Sequence, residues 1–211
     1  RHDAPQSKTY KLNSPKTCGN CHEEEYSEYT ESIHGQKLRE GIMDSPSCTD
    51  CHGAHKIIPP GEGESPVYPT HIVKTCSHCH DSVEIVRKYG ISPKRVSSYK
   101  SSFHGLANKY GVAAAANCSS CHGVHNILPS SDPNSSIYID NRLKTCGGSD
   151  CHPDATKAFV SGEIHSGVVN PRASIAFWIK IVYIMLITGT IGGMTIHNAV
   201  DFFRQRKTKT D

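Results

Sequence analysis

The distribution of apolar and polar positions divides the chain near residue 175. Before that point apolar residues come singly or in short runs, broken by Gly, Pro, Ser and charged residues. After it, Ile175 to Phe203 reads IAFWIKIVYIMLITGTIGGMTIHNAVDFF, and Ile181 to Ile196 carries no charge. In the first part, the pattern predicts helices over Glu23–Ile33, Ser82–Tyr89, Pro93–Phe103 and Pro153–Ile164. Gly35 reads as the stop of the first helix, and Pro stands in the first turn of the last two. Ile57–Tyr68 and Leu128–Tyr138 are rich in Pro, Gly, Ser and Asp and read as loops. Almost no β-sheet is expected, and residues 1–14 read as a polar tail.

The apolar stretch at 175–203 is long enough to span a bilayer, which takes roughly 20 residues. The competing reading is a buried core helix, but the preceding chain is too poor in apolar residues to cover one. Lys180 can extend to the nearer interface, where Trp178 and Tyr183 also fit. Arg204, Arg206, Lys207 and Lys209 follow in a basic tail, 204–211, and positive flanks stay in the cytoplasm. The expected arrangement is a single span in a bacterial inner membrane, with the rest of the chain in the periplasm and its leader removed before Arg1.

Only 36% of the 211 residues are hydrophobic, and many of these lie in the span. The part before it therefore needs something other than aliphatic side chains to fold around. The cysteines supply the candidate. All ten fall into five pairs, Cys18/Cys21, Cys48/Cys51, Cys76/Cys79, Cys118/Cys121 and Cys146/Cys151, and a His follows the second Cys every time. A zinc ribbon or a disulfide framework gives no reason for that regularity. Attachment of c-type haem does: the thiols form thioethers with the haem vinyl groups and the His binds the iron. The expected cofactors are five c-type haems. The fifth site, Cys146 to His152, has four residues between its Cys, and its two Gly let the extra length bulge. Each ferric haem with two propionates adds about −1, so the formal +3 of the bare chain does not argue for nucleic acid as a partner.

The chain repeats itself with an offset of 70 residues. Tyr29, Ser32, His34 and Gly35 recur as Tyr99, Ser102, His104 and Gly105; Cys48 to His55 recurs as Cys118 to His125. Ser65, Tyr68, Lys74, Thr75 and Cys76 recur as Ser135, Tyr138, Lys144, Thr145 and Cys146. This divides a haem domain at 15–170 into units of about 18–75 and 76–145 and a half unit at 146–170. The fold class is mainly α with long loops: a duplicated, haem-packed domain plus one C-terminal transmembrane helix.

Five six-coordinate irons need ten axial ligands. The motifs supply His22, His52, His80, His122 and His152 as proximal ligands. The repeat selects His34, His104 and His165, each followed by Gly within two residues, and His55 and His125, each in a Cys-His-Gly-x-His pattern, as distal ligands. A His three residues after a proximal ligand cannot easily reach the same iron, so His55 and His125 are expected to serve neighbouring haems. His71 is replaced by Asn141 in the second copy, which weakens it as a ligand. His197, in or just below the span, is a candidate contact for a b-type haem or a quinone; the plainer reading caps the helix end beside Asp201 and Arg204. Gly189, Gly192 and Gly193 offer a smooth helix face to a membrane partner.

On these motifs, residues 15–170 resemble the multihaem c-type cytochromes whose distal ligands sit in Ser-x-His-Gly. Ser32–Gly35 and Ser102–Gly105 match, and Glu163–Gly167 departs by one inserted Ser. The resemblance implies bis-His haems of low potential in stacked and perpendicular pairs, and periplasmic electron transfer. The C-terminal anchor is closest to the pentahaem subunits of membrane quinol-oxidising complexes. The function this implies is electron relay between a quinone-reactive or cytochrome b-like membrane subunit and a periplasmic carrier or reductase, without catalytic residues of its own. The alternative is a multihaem reductase of a small nitrogen or sulfur oxyanion, which needs one haem with an open distal position.

Overall fold

The structure, a computed structural model, describes residues 4–148, 151–162, 164–165 and 175–207. The chain forms two units, Arg1–Ser166 and Gly167–Asp211. The described residues hold twelve helices and no strand. Eleven belong to the first unit and are short: α1 Ser14–Gly19, α2 Glu23–Glu31, α3 Ile33–Arg39, α4 Cys48–His52, α5 Ile72–His80, α6 Val83–Lys88, α7 Arg95–Lys100, α8 Phe103–Lys109, α9 Cys118–His122, α10 Arg142–Cys146 and α11 Lys157–Val160.

Isolated helices of this length are marginal in water, so they need packing to persist. Aliphatic packing is scarce: among the described residues the buried hydrophobic ones are Leu38, Val86 and Val160. The largest fully buried side chains are serines, Ser32, Ser47, Ser65 and Ser135. Each spends its hydroxyl on local backbone or side-chain partners. Meanwhile Ile57, Val83, Phe103, Tyr110 and Val124 are exposed. A polar skeleton with apolar residues on its surface suits a domain built around large flat apolar groups.

The expected helix over Glu23–Ile33 breaks at Ser32, and its continuation is a new helix. Ser32 is extended and caps α3, its Oγ accepting from the Gly35 N–H at 3.0 Å. Ser102 caps α8 in the same way at 3.1 Å. His34 and Gly35 therefore lie in the first turn of α3 rather than at the end of α2. Gly35 is required there by close approach: an added Cβ would collide with the Tyr29 carbonyl, and at Gly105 with that of Tyr99. Ser-x-His-Gly is thus an N-cap that fixes the His on a tight corner between two helices. Tyr29 and Tyr99 brace the corner, donating to the carbonyls of Pro46 at 2.7 Å and Ala116 at 2.9 Å.

The segment expected to be a tail is a folded ladder of turns from Ala4 to Asn13. Ser7 N–H donates to Ala4, Tyr10 to Ser7 and Asn13 to Tyr10, each to the carbonyl, at 2.8–3.1 Å. The same ladder runs through Glu62, Ser65, Tyr68 and His71, and through Asp132, Ser135, Tyr138 and Asn141. The sequence carries the signal three times: Ser7, Tyr10, Lys16, Thr17 and Cys18 stand at the spacing of Ser65, Tyr68, Lys74, Thr75 and Cys76. Reading the repeat only at its 70-residue offset hides the first copy.

The second unit contains α12, Ile175–Lys207. Phe177–Gln205 is long and apolar enough to cross a membrane by length and composition, and its apolar side chains are exposed. Thr190 and Thr195 return their hydroxyls to the carbonyls of Leu186 and Ile191 at 2.8 and 2.7 Å, so neither presents an unmet donor to lipid.

Candidate haem sites

The three odd-numbered Cys pairs share one mount and the two even-numbered pairs another. In the first kind, the Thr before the first Cys donates its hydroxyl back to the turn ladder. Thr17 reaches the Lys8 carbonyl at 2.8 Å, Thr75 that of Pro66 at 2.6 Å and Thr145 that of Ser136 at 2.6 Å. A second strut comes from Asn13, His71 or Asn141, whose side-chain nitrogens lie 2.9, 2.8 and 2.9 Å from the carbonyls of Ser7, Ser65 and Ser135. His71 therefore does the work of an Asn, which accounts for its replacement by Asn141. In the second kind, the helix bearing the motif is capped directly. Ser47 N–H donates to the Asp50 carboxylate at 2.7 Å, and Asn117 N–H donates to Ser120 Oγ at 3.0 Å. Gly53 and Gly123 then close α4 and α9 with φ of +83°, a region where glycine carries no Cβ penalty, and turn the chain toward His55 and His125.

The wide fifth motif keeps the closure of an ordinary one. At the first site His22 N–H returns to the Cys18 carbonyl at 3.0 Å; at the fifth His152 N–H returns to that of Cys146 at 3.1 Å. That bond therefore closes over two more residues of sequence at the fifth site than at the first. Ser149 and Asp150 lie outside the described residues, as do Ser166 and Gly167 of the inserted variant at His165.

Four of the expected proximal histidines face four of the expected distal ones. Ring centroids are 6.1 Å apart for His80 and His34, 6.2 Å for His52 and His125, 6.2 Å for His122 and His165, and 6.0 Å for His152 and His104. Two imidazoles with nitrogens about 2.0 Å to either side of one metal ion place their centroids about 6 Å apart, so the spacing fits an iron ligated on both faces. Phe159 also packs against His152, with ring centroids 5.0 Å apart. At six of these rings burial favours the neutral form, the one that binds metal. His34 is pushed down to about 4 by burial and then by His80; His122 is pushed down to about 4 by burial and then by His165, His80 and Arg95. His52, His80, His104 and His165 are lowered too, with burial the first cause in each. His22 is largely exposed and lies 3.9 Å from Glu25; His55 is exposed.

All ten thiols are free, and they stand in chain order. Cys18 lies within electrostatic reach of Cys48, and Cys76 of Cys118. Cys51 lies within electrostatic reach of Cys79, and Cys121 of Cys146 and Cys151. Neighbouring attachment sites therefore adjoin from the first to the fifth.

The protein does not enclose the ten thiols equally. Cys21 and Cys151 are exposed, whereas the other eight are half-buried. The cause is local. Cys51, Cys79 and Cys121 stand on the helices α4, α5 and α9, which pack against the rest of the unit. Cys21 falls beyond the end of α1 at Gly19, in the turn before α2, and its N–H donates to the Cys18 carbonyl at 3.1 Å. Cys151 likewise lies past the end of α10. The motif spacing that selects Cys21 carries no information about this exposure.

His197 is exposed on α12, and one turn further on Asp201 accepts from Gln205 at 2.8 Å.

Residues 4–60 match the family model described as NapC/NirT cytochrome c family, N-terminal region. No curated protein and no solved structure matches the chain.

Proposed function

We propose that this chain, a membrane-anchored multihaem c-type cytochrome of the NapC/NirT type by the likeness of residues 4–60, relays electrons through five covalently bound bis-His haems between a membrane quinone or cytochrome b-type partner and periplasmic redox partners. The observation that carries this reading is the set of four facing His pairs at 6.0–6.2 Å, each joining a motif His to a His from a different part of the chain. With those four assigned, His22 and His55 remain as the fifth pair. The bound haem supplies one-electron iron chemistry. The chain's part is to hold ten thiols and ten imidazoles at fixed separations and to set each potential through ligand, burial and hydrogen bonding. The end-to-end adjacency of the Cys pairs supports a linear path from the first site to the fifth. The basic flank of α12 supports a cytoplasmic C-terminus and a periplasmic haem domain. His197 is a contact point for a b-type haem or quinone held with a membrane partner.

The test is made on the full-length protein in its native membranes. A pyridine haemochrome assay against protein mass should give five c haems, the ferric spectrum should be low-spin throughout, and added quinol should reduce the c haems. Quinol addition without c-haem reduction would sink the relay. A high-spin ferric haem in the intact protein would instead favour the reductase of a nitrogen or sulfur oxyanion, since that chemistry needs an open iron.

A further inference from the structure

The two copies of the repeat are not electrostatically alike, and the difference falls on the distal ligands of equivalent sites. Residue 28 in the first copy corresponds to residue 98 in the second. Both lie on the helix before the Ser-x-His-Gly corner, and both face the Nδ1 of a distal His whose ring meets an even-numbered proximal His. Glu28 Oε2 is 3.6 Å from His125 Nδ1, and His125 faces His52. Ser98 Oγ is 3.1 Å from His165 Nδ1, and His165 faces His122. The hydroxyl lies within hydrogen-bond distance of Nδ1 and the carboxylate faces it at slightly longer range, so both arrangements leave Nε2 for the iron. The same position thus holds a carboxylate at the second site and a neutral hydroxyl at the fourth.

The surroundings reinforce the contrast. α2 carries Glu23, Glu24, Glu25, Glu28 and Glu31 and no basic residue, whereas the matching stretch of the second copy carries Lys94, Arg95 and Lys100 and no acidic one. The Arg95 charge lies within reach of both His122 and His165 and disfavours their protonation, while the Arg95 backbone favours it at His165. The contact at the second site is held by the fold: Ile33, just after α2, donates its N–H to the carbonyl of Ile127, two residues beyond His125.

A carboxylate facing the outer nitrogen of a ligating imidazole makes that ligand more basic. A basic ligand and a nearby negative charge both favour the ferric over the ferrous state, since reduction by one electron removes one positive charge at the iron. A nearby cation does the reverse. We propose that residues 28 and 98 are positioning residues that give the two duplicated sites different reduction potentials, with Glu28 holding the second haem below the fourth. This rests on the bis-His assignment proposed above.

The experiment is a spectroelectrochemical titration of the full-length protein and its Glu28→Gln, Glu28→Asp and Ser98→Glu variants, with haem content and low-spin EPR signals recorded on each. Glu28→Gln should raise one of the five couples by about tenfold in its reduction equilibrium, or about 59 mV for one electron. Ser98→Glu should lower a different couple, and Glu28→Asp should restore most of the parental value. Five unchanged potentials in both Glu28→Gln and Ser98→Glu, with haem content and spin state intact, would overturn the proposal. The underlying ligand assignment is tested separately with His125→Ala: if that variant stays fully low-spin and binds no carbon monoxide when reduced, the assignment itself fails, whatever Glu28→Gln shows.

Discussion

The backbone N–H of Ile33 donates to the carbonyl of Ile127 at 2.9 Å, joining the first copy of the repeat to the second one residue from His34 and two from His125. Ile33 is the first residue of α3, after an extended Ser32. Proline is tolerated at such a position and requires an extended residue before it, so Ile33→Pro removes this donor and leaves the helix. The variant should lose about 1 kcal/mol of stability against an Ile33→Val control. Chemical denaturation of the holoprotein checks it, and an unchanged midpoint would show that the copies are held together by other contacts.

Replacing His34 or His104 by Ala should leave five haems attached and open one iron each. The reduced variants should bind one equivalent of carbon monoxide, at the third site for His34 and at the fifth for His104, because those rings face His80 and His152. Carbon monoxide difference spectra that match the parent would mean these rings are not ligands.

Gly35→Ala and Gly105→Ala push a methyl into the carbonyls of Tyr29 and Tyr99. Relief requires the corner between the helices to open, at a cost of about 1–3 kcal/mol. Because the adjacent His sits on that corner, the thermal midpoint should fall together with the low-spin signal of the third site in one variant and of the fifth in the other.

At the fifth site the Thr145 hydroxyl fixes the turn that presents Cys146. Thr145→Val should cost about 1 kcal/mol and reduce haem occupancy there, with Thr145→Ser restoring it. Intact-mass spectrometry counts the haems directly. Full occupancy in Thr145→Val would limit the mount to a structural role.

Burial pushes the Tyr99 phenol above its ordinary value near 10. A raised acid contributes stability that is complete below its unfolded value near 10 and is lost as pH rises through the folded value. Stability should therefore decline as pH rises above about 10, and Tyr99→Phe should flatten part of that decline, as read by denaturation midpoints across that range.

The attachment motifs, the duplication and the apolar span are all legible in the sequence because each depends on local spacing. His and Cys at fixed intervals need no tertiary information, and neither does an uncharged run from Ile181 to Ile196. The pairing of His34 with His80 and of His125 with His52 is not legible, because it depends on how far each loop carries its ring in space. The exposure of Cys21 is hidden for the same reason: its motif resembles those of Cys51 and Cys121, and only the early end of α1 sets it apart. Gly35 misleads in a related way. A Gly after a helical run signals a stop by composition, but here it is demanded by the Tyr29 carbonyl of the preceding helix. The ladder at Ala4–Asn13 is legible but easily passed over, since short polar segments with Pro resemble tails until their hydroxyl and amide spacing is compared with other loops.

The facing rings also bear on assembly order. On the ligand assignment proposed above, His34 is made before the site it completes, whereas His125 follows His52 by more than a full repeat and His165 follows His122. With the N-terminal end available first, as the proposed periplasmic location requires, the third and fifth sites find their distal ligands already waiting. The second and fourth must hold haem with one face open until later sequence arrives. A chain cut between the two copies could therefore attach haem at the second site and still never close it.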